Sequence, residues 1–305
     1  MTYCLKLLSH SHYNTRENGE WGLISDGGAV AEPARQQGVK ALIVDAFGTT
    51  VNWHHTVHAE LCRRASAHAD AERLERVNWA AFLADWREAF KRGVAEHSRG
   101  VAPTHSHFPT VDTFHRNALD ALTHKYAIDH VYTPAQLDDL SLIWHDLDAW
   151  PDAAHGIDLL KQKYVVATLS NGHCRLLVDM AKHANLRWDF ICGADIPRVY
   201  KPHPETYLSI ARWLGLRPEQ CAMVAAHAND CRGARAVGMR TVYIAREQEE
   251  DEPELVHPEE FDIFLDGRVP FSDVHPSTRN IGLVELANRL NVQQQDAEWK
   301  SCKGV

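Results

Sequence analysis

One short apolar run near the start of the chain constrains the fold more than any other feature. Residues 41–44 (Ala-Leu-Ile-Val) are apolar without alternation, and Asp45 follows them directly. An unalternated run of this length is typical of a strand buried on both faces, as in a parallel sheet. The turn that follows contains Gly48 and the hydroxyl side chains of Thr49 and Thr50. Asp45 is therefore predicted to lie at the carboxyl end of a buried strand, where open α/β sheets bind their ligands, unless it only caps the next turn.

Further apolar runs alternate with helical patterns in the second half of the chain. We predict strands at 164–169, 190–193, 221–226 and 241–244, a short edge strand at 261–265, and helices between them and near 283–290. Strands that alternate with helices at this spacing indicate βαβ units. The predicted fold class is therefore α/β, with a Rossmann-like parallel sheet flanked by helices.

The region from 54 to 149 has a different pattern, because strand-like runs are absent from it and apolar residues recur at helical spacing. The clearest stripe consists of Trp79, Phe82, Leu83, Trp86 and Phe90. We interpret this region as an inserted helical cap domain, which can close over the strand ends and exclude water.

The predicted organisation is a Rossmann-like core in two segments, 38–53 and 150–292, interrupted by the cap. Residues 1–37 show little periodicity, and we expect a loosely ordered extension there and a disordered tail at 293–305. We interpret the acidic run at 247–254 as a solvated loop.

Composition excludes several classes of protein. The hydrophobic share of 45% and the charged share of 24% are ordinary for a soluble globular protein, and the net charge of −9 argues against a nucleic-acid partner. The seven cysteines have no CxxC spacing, so we expect reduced thiols, no zinc site and a cytoplasmic location. No apolar run approaches the ~18 residues of a membrane span, so no membrane partner is expected.

Polar residues follow three of the predicted strands. Asp45 follows the first, Ser170 and Asn171 follow the second, and the segment 227–230 follows the strand that ends near 226. Lys201 lies in a loop between the last two groups. Because adjacent parallel strands are only ~4.8 Å apart, these groups can converge on one crevice.

The order of these motifs resembles the haloacid dehalogenase superfamily and, within it, the type II branch of 2-haloacid dehalogenases. The resemblance covers about residues 40–246 and is carried by Asp45-Ala-Phe-Gly-Thr49, Leu169-Ser-Asn-Gly172, Val199-Tyr-Lys-Pro202, Trp86-Arg87 and Asp230. It implies a metal-independent hydrolase without a cofactor that acts on the carbon–halogen bond of a small 2-haloalkanoate. Since members of this branch are often dimers, a homodimer is possible by resemblance.

The resemblance implies a nucleophile and its supports. Asp45 would attack C2 of the substrate and form an ester that water then hydrolyses. Lys201 would keep Asp45 ionised because an opposite charge lowers the pKa of a carboxyl group. Thr49 would hydrogen-bond the nucleophile, although a simple turn hydroxyl is the alternative.

The resemblance also implies a substrate pocket. Ser170 and Asn171 would hold the substrate carboxylate with hydroxyl and amide donors; Ser170 could also be a helix N-cap, and both roles can hold together. Arg87 would stabilise the departing halide, unless it is a solvated helix arginine. Phe47 stands where the phosphatases of the superfamily carry an acid, and a halide needs no acid because it leaves as a stable anion. Tyr207 would support the pocket or be a core tyrosine.

One motif departs from the pattern of the branch. Where the best-known dehalogenases carry Ser and Asn, this chain has Ala225 and His227, and an aromatic position before Asp230 is Asn229. Asp230 would help to hold Lys201. His227 could orient or deprotonate the hydrolytic water, because histidine titrates near neutral pH.

Two other functions remain open at this point. A Mg²⁺-dependent phosphatase would bind its metal through Asp45, the backbone carbonyl of Phe47 and Asp230, but the missing acid at Phe47 argues against it. A catalytically idle relative would bind a carboxylate metabolite or a protein.

Overall fold

A sheet of six parallel strands forms the centre of the molecule in a computed structural model, which describes residues 38–100, 108–268 and 280–292. The strands are β1 (Ala41–Val44), β2 (Val165–Ser170), β3 (Phe190–Gly193), β4 (Cys221–Ala225), β5 (Arg240–Ala245) and β6 (Ile263–Asp266). Their order is β3-β2-β1-β4-β5-β6. The predicted parallel α/β sheet is therefore confirmed, and each predicted strand lies within two residues of its observed bounds.

Strand β1 lies in the middle of the sheet, and its position determines where a ligand can bind. It pairs with β2 on one side and with β4 on the other, so that Val44 aligns with both Thr168 and Val224. The strand order changes direction between β1 and β4, and open α/β sheets bind ligands in the crevice at such a switch point. Asp45, which follows β1, lies at this crevice.

Two apolar layers cover the sheet, because successive side chains of a strand point to opposite faces. Leu42 and Val44 of β1 face one layer, which contains α6 (Ala153–Leu160), α7 (Cys174–His183) and α10 (Gly282–Arg289). Ala41 and Ile43 face the other layer, which contains α8 (Pro204–Trp213) and α9 (Ala228–Ala236).

The described part of the segment between β1 and α6 consists of helices joined by loops. Its helices are α1 (Trp53–Ala67), α2 (Ala71–Leu74), α3 (Trp79–Gly100), α4 (Val111–Lys125) and α5 (Pro134–Ser141), and a 3-10 turn follows at Leu142–His145. The predicted stripe on α3 is buried, and its apolar contacts continue into the layer under the sheet. The division into cap and core at 54–149 stays a prediction, because the two regions share one apolar interior.

The predicted extension at 1–37 and the predicted tail at 293–305 lie outside the described residues, as do residues 101–107 of the predicted cap. Among the described helices, none is long and apolar enough to cross a membrane.

A buried ion pair supports the turn that carries Asp45. Asp152 accepts two hydrogen bonds from Arg246, at 2.7 and 2.8 Å, and a third from the backbone N–H of Leu283. The Nε atom of Arg246 also donates to the carbonyl oxygen of Thr49 at 3.2 Å. The pair therefore links β5 and α10 to the loop after β1.

A histidine joins the helical region to the core. His145 lies between two carboxylates, 3.0 Å from Asp112 on α4 and 3.0 Å from Asp179 on α7. Burial by itself would lower the pKa of His145, but these two carboxylates outweigh it and raise the pKa. His173, which precedes α7, lies 3.3 Å from the other oxygen of Asp112.

Candidate active site

Asp45 is buried at the end of β1 and is oriented by the loop that follows it. Thr49 Oγ1 donates a hydrogen bond of 2.8 Å to Asp45 Oδ2 and accepts one of 2.9 Å from the backbone N–H of Ala226. Thr49 is therefore more than a turn hydroxyl, because it fixes the carboxylate and ties the end of β1 to the end of β4.

Lys201 forms a buried ion pair with Asp45. Its Nζ atom lies 2.6 Å from Asp45 Oδ1 and also contacts Asp230 Oδ2. Burial alone would raise the pKa of Asp45, but the charge of Lys201 and the nearby His227 hold this pKa well below the usual range. Asp45 is therefore an ionised, oriented carboxylate, which is the state that a nucleophile requires.

Asn171 holds the backbone of Lys201. Its Oδ1 atom accepts from the N–H of Lys201 at 2.7 Å, and its Nδ2 atom donates to the carbonyl of Lys201 at 3.3 Å. Most of the amide is therefore used to position Lys201, whereas the sequence predicted that it would hold the substrate. Ser170 Oγ accepts from the N–H of Gly172 at 3.1 Å. The N-cap of α7 is His173, so the additional role of Ser170 as an N-cap is wrong.

A cavity of about 430 Å³ opens in front of Asp45. The loops at the strand ends line one side of it, and α3 of the helical region lines the other. Its walls include the predicted residues Asp45, Phe47, Arg87, Ser170, Asn171, Lys201, His227 and Asp230. Thr49 does not line the cavity but donates a hydrogen bond to Asp45. Nine of the ten predicted site residues are therefore found together.

The tenth, Tyr207, does not reach the cavity. It is fully buried in the apolar layer under α8 and α9, and a side chain at Gly233 would collide with its ring. Within the described residues its hydroxyl has no hydrogen-bond partner. The prediction that Tyr207 binds substrate is corrected, and its position fits the alternative of a core tyrosine.

Arg87 brings a positive charge to the cavity from α3. Its guanidinium carbon lies 5.1 Å from the ring centroid of Trp53 and 5.4 Å from that of Phe90, so it is packed between aromatic side chains. In the part of the chain that the structure describes, no carboxylate lies within ion-pair distance of Arg87. This half-buried cation is therefore available to an anion in the cavity.

His227 lies between two carboxylates. Its Nδ1 atom is 3.5 Å from Asp45 Oδ2, and its Nε2 atom is 3.5 Å from Glu249 Oε2. Burial would lower the pKa of His227, but hydrogen bonding and charge from these two groups raise it to about 10. The expectation that His227 titrates near neutral pH is corrected for this state, in which the ring carries both protons and cannot act as a base.

The sequence patterns did not predict that Glu249 belongs to the site. It belongs to the acidic run that was predicted to be a solvated loop, yet it is buried and accepts a hydrogen bond of 2.9 Å from Trp53 Nε1. Gly48 has a φ of +75°, and the carboxyl group of Glu249 fills the space that a side chain at Gly48 would need. No pattern in the run distinguishes Glu249 from its exposed neighbours, so only the folded structure reveals it.

Comparison with known proteins agrees with this geometry. Residues 39–238 match the family described as haloacid dehalogenase-like hydrolase. (S)-2-haloacid dehalogenase 4A of Burkholderia cepacia is 30% identical over 214 residues, which cover 68% of this chain and 84% of that protein. A second relative, (S)-2-haloacid dehalogenase of Xanthobacter autotrophicus, is 31% identical over 117 residues, which cover 37% of this chain and 46% of that protein.

Solved structures with the same fold carry similar names. The crystal structure of an L-2-haloacid dehalogenase superposes with a TM-score of 0.71 at 29% identity and covers 83% of this chain and 99% of its own. That of a defluorinating L-2-haloacid dehalogenase has a TM-score of 0.65 at 32% identity and covers 83% and 95%. The chain belongs to the haloacid dehalogenase-like hydrolase family.

Proposed function

We propose that this protein is a 2-haloacid dehalogenase, a hydrolase that cleaves the carbon–halogen bond of a small 2-haloalkanoate through an ester on Asp45. The observation that carries the proposal is the carboxylate of Asp45, which is held ionised by Lys201 and oriented by Thr49 at the wall of the cavity. The relatives named (S)-2-haloacid dehalogenase support the same reaction class.

The first step is displacement at C2 of the substrate. The Asp45 carboxylate forms a carbon–oxygen bond from the side opposite the halogen, and the halide leaves with the bonding electron pair and inversion at carbon. Phe47, whose ring lines the cavity, supplies no proton, and a halide anion needs none. Arg87 provides a positive charge for the departing halide, and its aromatic surroundings leave few competing hydrogen bonds.

The substrate carboxylate requires donors on the strand-end side of the cavity. Ser170 can donate its hydroxyl hydrogen to the substrate, because among the described residues its Oγ atom accepts a hydrogen bond from Gly172 and donates none. Asn171 retains one N–H for the same purpose. In the second step, water attacks the carbonyl carbon of the ester and releases a 2-hydroxy acid.

The helical region at 54–149 serves as the cap in this proposal, since α3 closes the cavity from the side opposite the sheet. A cytoplasmic location and a homodimer stay predictions from the sequence.

A Mg²⁺-dependent phosphatase receives less support from the site. Phe47 replaces the acid that would protonate a leaving alkoxide. The ammonium group of Lys201 contacts both Asp45 and Asp230, where a bridging dication would have to compete with it. A non-catalytic binding protein would have no need for a carboxylate that is kept ionised in a buried place, which costs free energy.

Halide release tests the proposal. We expect the wild-type protein to release chloride from (S)-2-chloropropionate in the presence of EDTA, and Asp45→Asn to release none. Fluoroacetate serves as a second substrate. Failure of the wild type on both substrates, with turnover of phosphate esters in Mg²⁺, would support the phosphatase instead.

A further inference from the structure

Glu249 belongs to the active site through its contact with His227, although it does not line the cavity. Its Oε2 atom lies 3.5 Å from His227 Nε2 and accepts the hydrogen bond from Trp53, and its Oε1 atom is buried without a partner among the described residues. The site accommodates this carboxyl group only because residue 48 is a glycine. A buried acid in such a place needs a reason, because burying a carboxylate is costly unless it is paired.

Hydrolysis of the proposed ester needs a group that accepts a proton from the attacking water. Asp45 is consumed by the ester, and Asp230, the carboxylate that remains beside it, stays paired with the ammonium group of Lys201. His227 is adjacent, but in the resting state it is an imidazolium between Asp45 and Glu249.

Formation of the ester changes the surroundings of His227. The ester is neutral, so Nδ1 loses the carboxylate that accepted its proton, whereas Nε2 keeps Glu249. The other charged groups near the ring are Asp230, in the first turn of the helix that His227 precedes, Glu250, which accepts from the N–H of Ala228, and Lys201 and Arg87, which line the same cavity. Formation of the ester removes the charge of Asp45 and makes no bond to any of these groups.

We propose, resting on the dehalogenase function above, that Glu249 is a positioning residue for ester hydrolysis. It holds the proton of His227 on Nε2, so that Nδ1 faces the Asp45 ester with a free lone pair and accepts a proton from the attacking water. The arrangement follows the logic by which a buried carboxylate sets the tautomer of a catalytic histidine.

The protons balance over one turnover. Displacement of the halide moves no proton, and the Nδ1 proton of His227 then leaves to solvent with the halide. Water adds to the ester carbonyl and gives one proton to Nδ1. The bond between the acyl carbon and the substrate oxygen breaks, and that oxygen takes the second proton of the same water. The products are a 2-hydroxy acid, a halide and one proton, and Asp45 is again ionised beside an imidazolium.

Rapid-mixing kinetics of Glu249→Gln separates the two steps. We expect a first-turnover burst of about one halide per active site at nearly the wild-type rate, followed by steady-state turnover that is slower by ~10²-fold, the typical contribution of a general base. The ester should accumulate on Asp45 and be detectable by mass spectrometry of the intact protein. His227→Asn should behave in the same way, and Glu254→Gln, which changes an exposed acid of the same loop, should match the wild type.

The pH profile distinguishes positioning from a purely structural role. Steady-state turnover should fall at low pH, because His227 becomes protonated in the enzyme that carries the ester. Glu249→Gln should move this fall to lower pH, because it removes the carboxylate that still raises the pKa of His227. Glu249→Asp should restore part of the hydrolysis rate. Equal slowing of burst and turnover, or an acid limb that does not move, would overturn the role of Glu249 and leave the proposed function intact. The absence of any halide burst in the wild type would instead overturn the proposed function.

Discussion

Replacement of Lys201 by methionine removes the ammonium group and keeps most of the length of the side chain. The wild-type Nζ atom lies 2.6 Å from Asp45 Oδ1 in a buried site. Two unit charges about 4 Å apart attract by ~4 kcal/mol at an effective dielectric constant of ~20. Since 1.36 kcal/mol corresponds to one pKa unit, the loss of this attraction should raise the pKa of Asp45 strongly, into the range of the assay. Burial also raises the pKa of Asp45, and in the variant less positive charge remains to counteract it.

The assay is the rate of halide release in a single turnover between pH 4 and pH 8. The wild type should show no fall in rate from protonation of Asp45 in this range. Lys201→Met should lose about tenfold in rate per pH unit below the raised pKa of Asp45. Lys182→Met, which alters an exposed lysine on α7, is the control. A flat profile for Lys201→Met at the wild-type rate would refute the claim that Lys201 keeps the nucleophile ionised.

The folded fraction of Lys201→Met must be measured at every pH. In this variant the pKa of Asp45 is raised in the folded state, so the contribution of Asp45 to stability is fully present below its unfolded value of ~3.9 and is lost as pH rises through the folded value. The loss of activity toward acid and this loss of stability toward higher pH therefore have opposite signs, and the measured folded fraction separates the acid limb of Asp45 from acid unfolding through carboxylates such as Asp112, whose pKa is lowered in the folded state.

Three further predictions concern the cap side of the cavity and the frame of the site. Arg87→Gln should slow the halide burst by ~10²–10³-fold, because an aimed charge is lost, whereas Arg92→Gln on the exposed face of the same helix should not; stopped-flow halide detection measures both. Asp152→Ala should lower the free energy of unfolding in urea by ~3–5 kcal/mol, because it leaves the buried Arg246 unpaired. His145→Gln should destabilise the protein most below pH ~6.5, because a histidine whose pKa is raised by folding loses its contribution as pH rises through the folded value.

Each of these three has a contrary result. Equal bursts in the two arginine variants would remove Arg87 from the halide site. An unfolding free energy of Asp152→Ala within ~1 kcal/mol of the wild type would mean that the ion pair only replaces hydration. A constant difference between wild type and His145→Gln from pH 5 to pH 9 would mean that the histidine acts through packing and not through its charge.

The sequence predicts the sheet and the strand-end residues because both follow from local patterns. An unalternated apolar run indicates a buried strand, and the geometry of parallel strands brings the residues that follow them to one edge. Asp45, Ser170 and Lys201 could therefore be placed together before any coordinates were known. The dimensions of the sheet leave little freedom for these positions.

The remaining features depend on contacts between distant segments. Glu249 has the same composition around it as its exposed neighbours, and only its approach to Trp53 and Gly48 makes it part of the site. The protonation of His227 could not be predicted, because the second carboxylate beside it was unknown. Helical spacing places Tyr207 on α8 but does not state which face of the sheet that helix covers.

The central claim is that water attacks an ester on Asp45 and never the substrate carbon. A single turnover with excess enzyme, in water enriched in heavy oxygen, tests this claim directly by mass spectrometry of the product and of the peptide that contains Asp45. The account predicts that the label enters the carboxylate of Asp45 while the 2-hydroxy acid of the first turnover stays unlabelled at its new hydroxyl. A labelled hydroxyl in that first product, with no label on Asp45, would show direct attack by water and would contradict the account.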